Sequence, residues 1–331
     1  MKTKQQNKRS LHLTKSMQGL FLNFLSLFTL LKYPSIKKDY RYFIRDNYYS
    51  RLLQTKYLIA DYIFKKEYKT IQYYGEFQQE LTFILPFAYW HHLNGTLKKT
   101  ISCKDTKELY FFSNNHEERY SERDAVSNYG SYEVPNMTHS ISYSYTKWAR
   151  VPLKEHYHND TFRYDKPTLV IANKYNIEWD ELPVNFFDIE TLDEIITKYK
   201  DKYQIVYNRP LSRHIVQDNS EILELHEYEW LRENHPEVIL ISDLYKQHSA
   251  SVNNFNHLQL LVYANCSHFI SVHGGTGALA SYFGGNNIIL SKKGIEQYFN
   301  EYATIFPSLS GARIHHAKTK SDIFRYLEEY Y

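Results

Sequence analysis

The segment His273–Gly277, His-Gly-Gly-Thr-Gly, places three close glycines beside a histidine and a threonine. An apolar run precedes it, an Ala/Leu segment follows it, and a second apolar run begins at Asn287, after Gly284 and Gly285. This order predicts a strand, a loop, a helix and a second strand. Glycines let a ligand approach the backbone, and the first turn of a helix has unpaired N–H groups. We therefore expect the loop to bind an anion, in particular a nucleotide diphosphate.

Residues that end the other predicted strands should face the same crevice, because ligands of doubly wound sheets bind beyond the carboxyl ends of the strands. The residues predicted to bind the nucleotide are Asn173, Lys174, Asn208, Arg209, Asp243, His273, Gly274, Gly275, Thr276, Gly277 and Glu296. Arg209 can hold a diphosphate through two hydrogen bonds, and Lys174 can add positive charge. Lys292 and Lys293 can add charge too, although each alone is better explained as an exposed loop lysine.

His273 and Glu76 are the candidate catalytic residues. The ring of His273 can donate to a phosphate or polarise a leaving group, and a hydrogen bond to the loop backbone is compatible with that role. Glu76 lies in the glycine turn Gly75–Gln79 of the N-terminal half, where it is a candidate general base for an acceptor hydroxyl. The alternative for Glu76 is a carboxylate stabilised by a helix dipole. Glu296 is predicted to accept hydrogen bonds from ribose hydroxyls, and the alternative is a solvated helix carboxylate.

Short apolar runs alternating with helical segments predict an α/β protein with two Rossmann-like units, of which the C-terminal one is a doubly wound parallel sheet. The predicted C-terminal strands are Thr168–Asn173, Tyr203–Tyr207, Glu237–Ile241, His268–Val272 and Asn287–Ser291, with helices at Asp188–Tyr199, His226–Glu233, Asn256–Ala264 and Gly277–Phe283. The predicted N-terminal strands are Thr70–Tyr74, Lys99–Cys103 and Glu108–Ser113, with a helix over Gln78–Leu93. We predict an N-terminal helical segment at 1–69, a domain at 70–165 that includes an irregular connecting segment, and a nucleotide-binding domain at 166–331.

The composition restricts the class of protein. A net charge of only +3 over 331 residues gives no reason to expect nucleic acid as a partner. The only two cysteines, Cys103 and Cys266, lie far apart, so no disulfide framework is expected and a reducing cytoplasm is favoured.

The N-terminal segment combines a basic start with the apolar run Leu20–Leu31. The run is too short to span a bilayer comfortably, and no small-x-small cleavage site follows it. Gly19, Asn23, Ser26 and Thr29 recur at helical spacing and predict a weakly polar stripe. Residues 11–33 therefore predict either an amphipathic helix on the inner face of the membrane or a packing helix that ends near Pro34.

Several catalytic motifs are missing from the sequence. It contains no Gly-x-x-x-x-Gly-Lys-Ser/Thr phosphate loop, no Gly-x-Ser-x-Gly elbow, no His-Glu-x-x-His and no strict Gly-x-Gly-x-x-Gly. The absence of Asp-x-Asp disfavours a metal-chelating sugar-nucleotide site. His139, His156 and His158 do not have metal-ligand spacing, and His91 and His92 are better explained as structural. We expect neither a metal nor a cofactor.

The segment His257–Gly277 resembles GT-B glycosyltransferases, in particular fucosyltransferase-like and related polysaccharide-building enzymes, in which a helix leads to a strand and a small-residue phosphate loop. Tyr207–Arg209 occupies the place of their diphosphate-binding arginine, and Gly75–Gln79 is similar to their N-terminal glycine turn. The resemblance covers the chain from about Thr168 to its end and, more loosely, the Gly75 turn. Their arginine pair is reduced here to Arg209, and the loop lacks their serine-rich form, so the resemblance does not identify the donor sugar.

This resemblance implies two facing Rossmann-like domains and a metal-independent hexosyl- or deoxyhexosyltransferase. The donor would be a nucleoside-diphosphate sugar held mainly by the C-terminal domain, and the acceptor a glycan or lipid-linked oligosaccharide. A sugar-nucleotide 2-epimerase on the same architecture is one alternative, and a non-catalytic glycan-binding protein is another. An epimerase needs acidic and histidine groups around the sugar but no acceptor groove.

Overall fold

Over the residues that it describes, the computed structural model shows a mixed α/β fold with two parallel sheets, one of three strands and one of six. It describes residues 2–124, 132–179, 181–212, 214–216 and 221–331, with side chains from residue 17 onward. Part of the predicted irregular segment, 125–131, therefore lies outside the described residues, as do the side chains of the first basic residues.

Two long helices open the chain, α1 (Lys2–Lys32) and α2 (Lys38–Leu53). A 3-10 turn at Gln54–Tyr57 and a π-helical turn at Ala60–Phe64 continue α2. The predicted helical character of this region is confirmed up to Phe64, after which Lys65 adopts a left-handed conformation with φ of 47° and ends the helix. These helices pack against each other and form the N-terminal helical segment.

The N-terminal sheet consists of β1 (Lys69–Gln72), β2 (Leu97–Cys103) and β3 (His116–Tyr120), parallel and in that order. The chain between β1 and β2 forms α3 (Phe77–Gln79), a π-helical turn (Glu80–Ile84) and α4 (Leu85–Leu93). This strand, turn, helix and strand unit confirms the prediction for the Gly75 region. Nearly all residues of the central π-helical turn and the first turn of α4 are buried, because the helix lies between the sheet and the rest of the protein.

The predicted strand at Glu108–Ser113 is wrong. Residues Lys107–Tyr110 form a 3-10 turn, and the third strand is β3. The turn buries the apolar Leu109 and Tyr110 in the core, while the carboxylate of Glu108 accepts a hydrogen bond of 2.8 Å from Asn254 Nδ2. The apolar run therefore packs as a turn, and the more polar segment that follows it completes the sheet.

The C-terminal sheet contains six strands, β4 (Thr168–Ala172), β5 (Gln204–Asn208), β6 (Ile239–Leu240), β7 (His268–Val272), β8 (Asn286–Leu290) and β9 (Arg313–Ala317). All pair in parallel in the order β6-β5-β4-β7-β8-β9. The chain thus builds outward from β4 to one edge and then returns to build from β7 to the other, which is the doubly wound arrangement. Every residue of β4 and of β8 is buried, as expected of strands covered on both faces.

Helices cover both faces of this sheet: α6 (Ile189–Tyr199), α7 (Glu227–Asn234), α8 (Ile241–His248), α9 (Phe255–Ala264), α10 (Gly275–Ala280), α11 (Ile295–Tyr298), α12 (Ile305–Ser308) and α13 (Lys320–Tyr330), preceded by the short α5 (Leu153–Tyr157). Asp188 caps α6 by accepting a hydrogen bond from the backbone N–H of Thr191, which confirms the predicted N-cap. Asn254 caps α9 in the same way, and Thr319 forms a capping box with Asp322 at α13.

One hydrophobic core runs from the N-terminal sheet into the C-terminal one. It includes Leu81 and Phe83 from the π-helical turn together with Val170 of β4 and Tyr282, which follows α10. The hydroxyl of Tyr282 donates a hydrogen bond of 2.5 Å to the carbonyl oxygen of Leu81. Because the core is shared, the division of the chain into domains at 70–165 and 166–331 stays a prediction.

Candidate functional site

A cleft of about 800 Å³ opens at the carboxyl ends of β4 and β7. These two strands are neighbours in the sheet and lie where the strand order reverses, the position at which doubly wound sheets bind ligands. One wall carries Lys174, His273, Gly274–Thr276 and Glu296, and the facing wall carries Glu76–Gln78, Arg123 and His139. The structure thus places the predicted glycine loop and the predicted Gly75 turn on opposite sides of one cleft.

The glycine loop begins directly after β7. Gly274 has φ of +94°, a conformation that a residue with a side chain rarely adopts. A Cβ atom at Gly275 would lie only 2.7 Å from Cδ1 of Phe77 in α3, so the loop and the facing wall are in close contact. A Cβ atom at Gly277 would lie 2.9 Å from the carbonyl oxygen of Val272. Gly277 does not line the cleft, and its absence of a side chain lets the helix pack against the sheet, which corrects its predicted binding role.

His273 is buried at the bottom of the cleft. Its Nδ1 lies 2.8 Å from the hydroxyl of Tyr302 and 3.2 Å from that of Ser291, and its Nε2 lies 3.4 Å from Oε2 of Glu296. Burial lowers the pKa of His273 to about 4, although the charge of Glu296 acts in the opposite direction. His273 is therefore neutral at physiological pH. Glu296 is itself buried beside this ring, so the alternative of a solvated helix carboxylate is wrong.

His139 enters the cleft from the segment between the two sheets. Its Nδ1 lies 2.8 Å from Oε1 of Glu301, a fully buried carboxylate that also accepts a hydrogen bond from the hydroxyl of Tyr143. Burial alone would lower the pKa of His139, but the charge and hydrogen bond of Glu301, helped by Glu296 and Glu76, raise it to about 9. The cleft therefore contains one histidine that is protonated at neutral pH and one that is neutral.

The two histidines are held by consecutive residues. Glu301 and Tyr302 belong to one 3-10 turn, Glu301–Ala303, and each binds the Nδ1 side of a different ring. The turn therefore fixes the orientation of both rings relative to each other. The sequence predicts no role for His139 at the cleft, because its partner Glu301 lies 162 positions away along the chain.

Glu76 immediately precedes α3 and lines the cleft. Its Oε2 accepts a hydrogen bond of 3.1 Å from Nε2 of Gln79, one turn later. Arg123, for which the sequence predicts no role, supports this turn. Its Nη1 donates to the carbonyl oxygen of Gly75 at 2.9 Å, and its Nη2 pairs with the buried Glu80 at 2.6 Å. Arg123 therefore holds the turn that presents Glu76 to the cleft.

Lys174 provides a cation beside the glycine loop. Its ammonium group would lie 3.3 Å from a Cβ atom at Gly274, and it forms an ion pair with Glu178. Asn173, the preceding residue, borders the cleft, but its fully buried carboxamide is occupied by hydrogen bonds with Phe187 and Tyr207 and with the backbone of Lys174. Asn173 therefore shapes the floor of the cleft, which corrects its predicted role as a ligand for the nucleotide.

Asn208 and Arg209 do not reach the cleft, which corrects their predicted roles. Nδ2 of Asn208 donates to Gln259 at 2.7 Å and to the hydroxyl of Tyr263 at 2.8 Å. Arg209 is fully buried, and its Nε donates to the equally buried Glu227 at 2.5 Å. The protein's own groups at the end of β5 thus bind Nδ2 of Asn208 and Nε of Arg209, whereas Oδ1 of Asn208 and Nη2 of Arg209 are buried without a hydrogen-bond partner among the described residues.

Asp243 does not lie at a strand end, which corrects its predicted role in binding the nucleotide. The predicted strand Glu237–Ile241 is limited to Ile239–Leu240, so Asp243 lies in the first turn of α8 instead of a strand-end loop. Its carboxylate pairs with Arg232 and Lys246 at the surface. Among the described residues, no group of three or more His, Cys, Asp or Glu side chains is arranged to hold a metal ion.

Comparisons with known proteins give a distant structural match. No family model matches the chain, and no curated protein matches it. A solved structure of the wall teichoic acid polymerase TagF matches with a TM-score of 0.30 and 13% sequence identity, over 54% of this chain and 37% of that chain. The matched region is thus little more than a third of that polymerase.

Proposed function

We propose that this protein transfers a hexosyl or deoxyhexosyl group from a nucleoside-diphosphate sugar to a hydroxyl of a glycan or lipid-linked oligosaccharide. The main support for this proposal is the cleft at the point where the strand order reverses. One wall of this cleft has the glycine loop and Lys174, and the other has Glu76 and His139. In this proposal residues 166–331 hold the donor, and residues 70–165 face the acceptor.

The wall formed by the glycine loop suits the diphosphate of the donor. Gly274 has no side chain that would cover its backbone, so phosphate oxygens can approach it there, whereas the ring of Phe77 packs against Gly275. The ammonium group of Lys174 lies beside this backbone, and the protonated His139 adds a second positive charge to the cleft. Each cation already has a carboxylate partner, Glu178 or Glu301, so the two would act on the departing diphosphate as hydrogen-bond donors that stabilise its developing charge.

The facing wall suits the acceptor. In the proposed reaction the acceptor hydroxyl loses its proton to the carboxylate of Glu76, and its oxygen forms a new bond to the anomeric carbon. The bond between that carbon and the diphosphate breaks, and the nucleoside diphosphate leaves with the bonding electron pair. Arg123 would act as a positioning residue, because it holds the Gly75 turn through the backbone.

A sugar-nucleotide 2-epimerase remains the second candidate, because one specific observation favours it. His139, His273, Glu76 and Glu296 all line the cleft, so acidic and histidine groups would surround a bound sugar. An epimerase needs the same diphosphate site but no acceptor. The two functions therefore differ in whether product formation depends on an acceptor.

Product analysis tests the proposal. The full chain is incubated with a panel of UDP-, GDP- and CDP-sugars, with and without a mixture of glycan acceptors, and products are identified by mass spectrometry. We expect acceptor-dependent transfer that persists in EDTA, falls at least about 100-fold in Glu76→Gln, and is unchanged in Glu155→Gln, an exposed control outside the cleft. An isomerised sugar nucleotide without acceptor would establish the epimerase instead, and a protein that binds no nucleotide and forms no product would refute both.

A further inference from the structure

Helix α1 turns an apolar face away from the protein. Leu20, Phe24, Leu27 and Leu31 follow one another at helical spacing, and their side chains are 68%, 62%, 55% and 74% exposed. Met17, one turn before Leu20, is also exposed. Large apolar side chains arranged contiguously on a surface mark a site of interaction with a partner.

The opposite side of α1 packs against α2. Leu25 and Thr29 are buried there, and the ring of Phe28 lies edge-on to Tyr48 with 5.5 Å between centroids. Thr29 belongs to the weakly polar stripe predicted from the sequence, and Ser26, another member, donates to the carbonyl oxygen of Leu22. Part of the weakly polar stripe therefore faces the protein while the row of four large apolar residues faces outward. This arrangement is the reverse of that in a helix folded against a core in water.

The positive charge of the first 38 residues indicates which kind of partner the apolar face of α1 binds. The first acidic residue of the chain is Asp39, and eight cations precede it: Lys2, Lys4, Lys8, Arg9, Lys15, Lys32, Lys37 and Lys38. A second copy of this chain would bring two such basic segments together, at an electrostatic penalty. A bilayer with anionic headgroups complements both the cations and the exposed apolar row.

We propose that α1 is a membrane-docking helix that lies in the plane of an anionic bilayer, with Leu20, Phe24, Leu27 and Leu31 inserted at the boundary of headgroups and acyl chains. Among the helices that the structure describes, none has the length and apolar character of a transmembrane span. The proposal does not depend on the glycosyltransferase function. It gives the whole chain a fixed orientation on the lipid surface, because α1 is packed against α2.

Sedimentation with lipid vesicles tests this proposal. The full chain is mixed with vesicles of phosphatidylcholine and phosphatidylglycerol at 3:1, or of phosphatidylcholine alone, and the bound fraction is measured at low and high salt. We expect binding to the anionic vesicles that weakens with salt, and partition at least about tenfold lower in the triple variant Leu20→Ser/Phe24→Ser/Leu27→Ser. Leu182→Ser is the matched control, because Leu182 is a comparably exposed leucine in the C-terminal half.

The substituted side chains are exposed, so the melting temperatures of the triple variant and of the control should match the wild type. Failure of the wild type to bind anionic vesicles, or equal binding by the triple variant, would overturn the proposal. Analytical ultracentrifugation measures the oligomeric state of the wild type and of the triple variant. The wild type would then not bind vesicles but would form a dimer, and the triple substitution would dissociate that dimer. This outcome would identify the apolar face as a self-association surface instead.

Discussion

The ion pair of His139 and Glu301 makes folding stability depend on pH in a specific direction. The pKa of His139 is raised in the folded protein from its ordinary value of 6.5 to about 9. One pKa unit corresponds to about 1.4 kcal/mol, so the pair should contribute on the order of 3 kcal/mol when His139 is protonated in the folded state. For a group whose pKa is raised by folding, this contribution is fully present below pH 6.5 and is lost as pH rises through 9.

The assay is urea denaturation at pH values from 6 to 10, comparing the wild type with the double variant His139→Gln/Glu301→Gln. The double variant removes both charges, so the difference in unfolding free energy cancels the tyrosines and lysines that do not contact the pair. Tyr143 donates to Glu301 and loses that partner in the variant, but burial is the largest cause that raises its pKa. Glu296 and Glu76, which also face His139, are present in both proteins. We expect the difference to shrink by about 3 kcal/mol between pH 6 and pH 10. A difference that stays constant over this range would refute the inference that His139 is held protonated.

Three further substitutions have defined outcomes. Arg209→Met should destabilise the protein by about 3 to 5 kcal/mol, measured by urea denaturation, because it leaves Glu227 as a buried unpaired charge, and should leave nucleotide affinity unchanged. Gly275→Ala should destabilise by about 1 to 3 kcal/mol in the same assay, because its methyl group would lie 2.7 Å from the ring of Phe77. Thr319→Ala should lower stability by about 1 kcal/mol, seen as a lower melting temperature, because it removes the capping box of α13.

Each of these substitutions has a control or a contrary outcome. Gly19→Ala provides the control for Gly275, since no atom lies within 4 Å of a Cβ at Gly19, and it should not destabilise. Reduced nucleotide affinity in a stable Arg209→Met variant would restore Arg209 to the binding site. A melting temperature unchanged by Thr319→Ala would mean that α13 is held by packing alone.

The C-terminal sheet was largely predictable from the sequence. β4, β5, β7 and β8 are short apolar runs bounded by polar or glycine residues, and the observed bounds differ from the predicted ones by at most one residue at each end. Such runs are distinctive because strands buried on both faces contain few polar residues. The N-cap of α6 was predictable for a similar reason, since its signal is local.

Strands and helices whose local sequence is not typical of their structure could not be predicted from the sequence. β3 has the sequence His-Glu-Glu-Arg-Tyr and lies at the edge of its sheet, where exposed polar side chains are tolerated. The preceding apolar run looked more like a strand but packs as a turn because Glu108 is fixed by Asn254. β9 and α13, at the end of the chain, were not predicted at all.

The residues of the site also divide into those with a local sequence signal and those without one. The glycine loop, His273 and the Gly75 turn were predictable because their residue types are unusual within otherwise regular segments. Arg209 was misassigned because its position at a strand end is visible in the sequence, whereas its pairing with Glu227 is not. His139 was missed for the converse reason, since only folding brings it to Glu301. The types and positions of residues along the sequence therefore indicate where the cleft lies. Which side chains face the cleft depends on ion pairs and hydrogen bonds between residues far apart in the sequence.

Calorimetric titration measures whether the cleft beside the glycine loop binds a nucleoside diphosphate, as we propose. UDP, GDP and CDP are titrated into the wild type, into Lys174→Ala, and into Lys293→Ala, whose lysine pairs with Glu181 outside the cleft. We expect one of the diphosphates to bind the wild type and Lys293→Ala equally, and Lys174→Ala at least about tenfold more weakly. No binding of any diphosphate to the wild type, or equal affinity in all three proteins, would show that the wall formed by Lys174 and the glycine loop is not a diphosphate site.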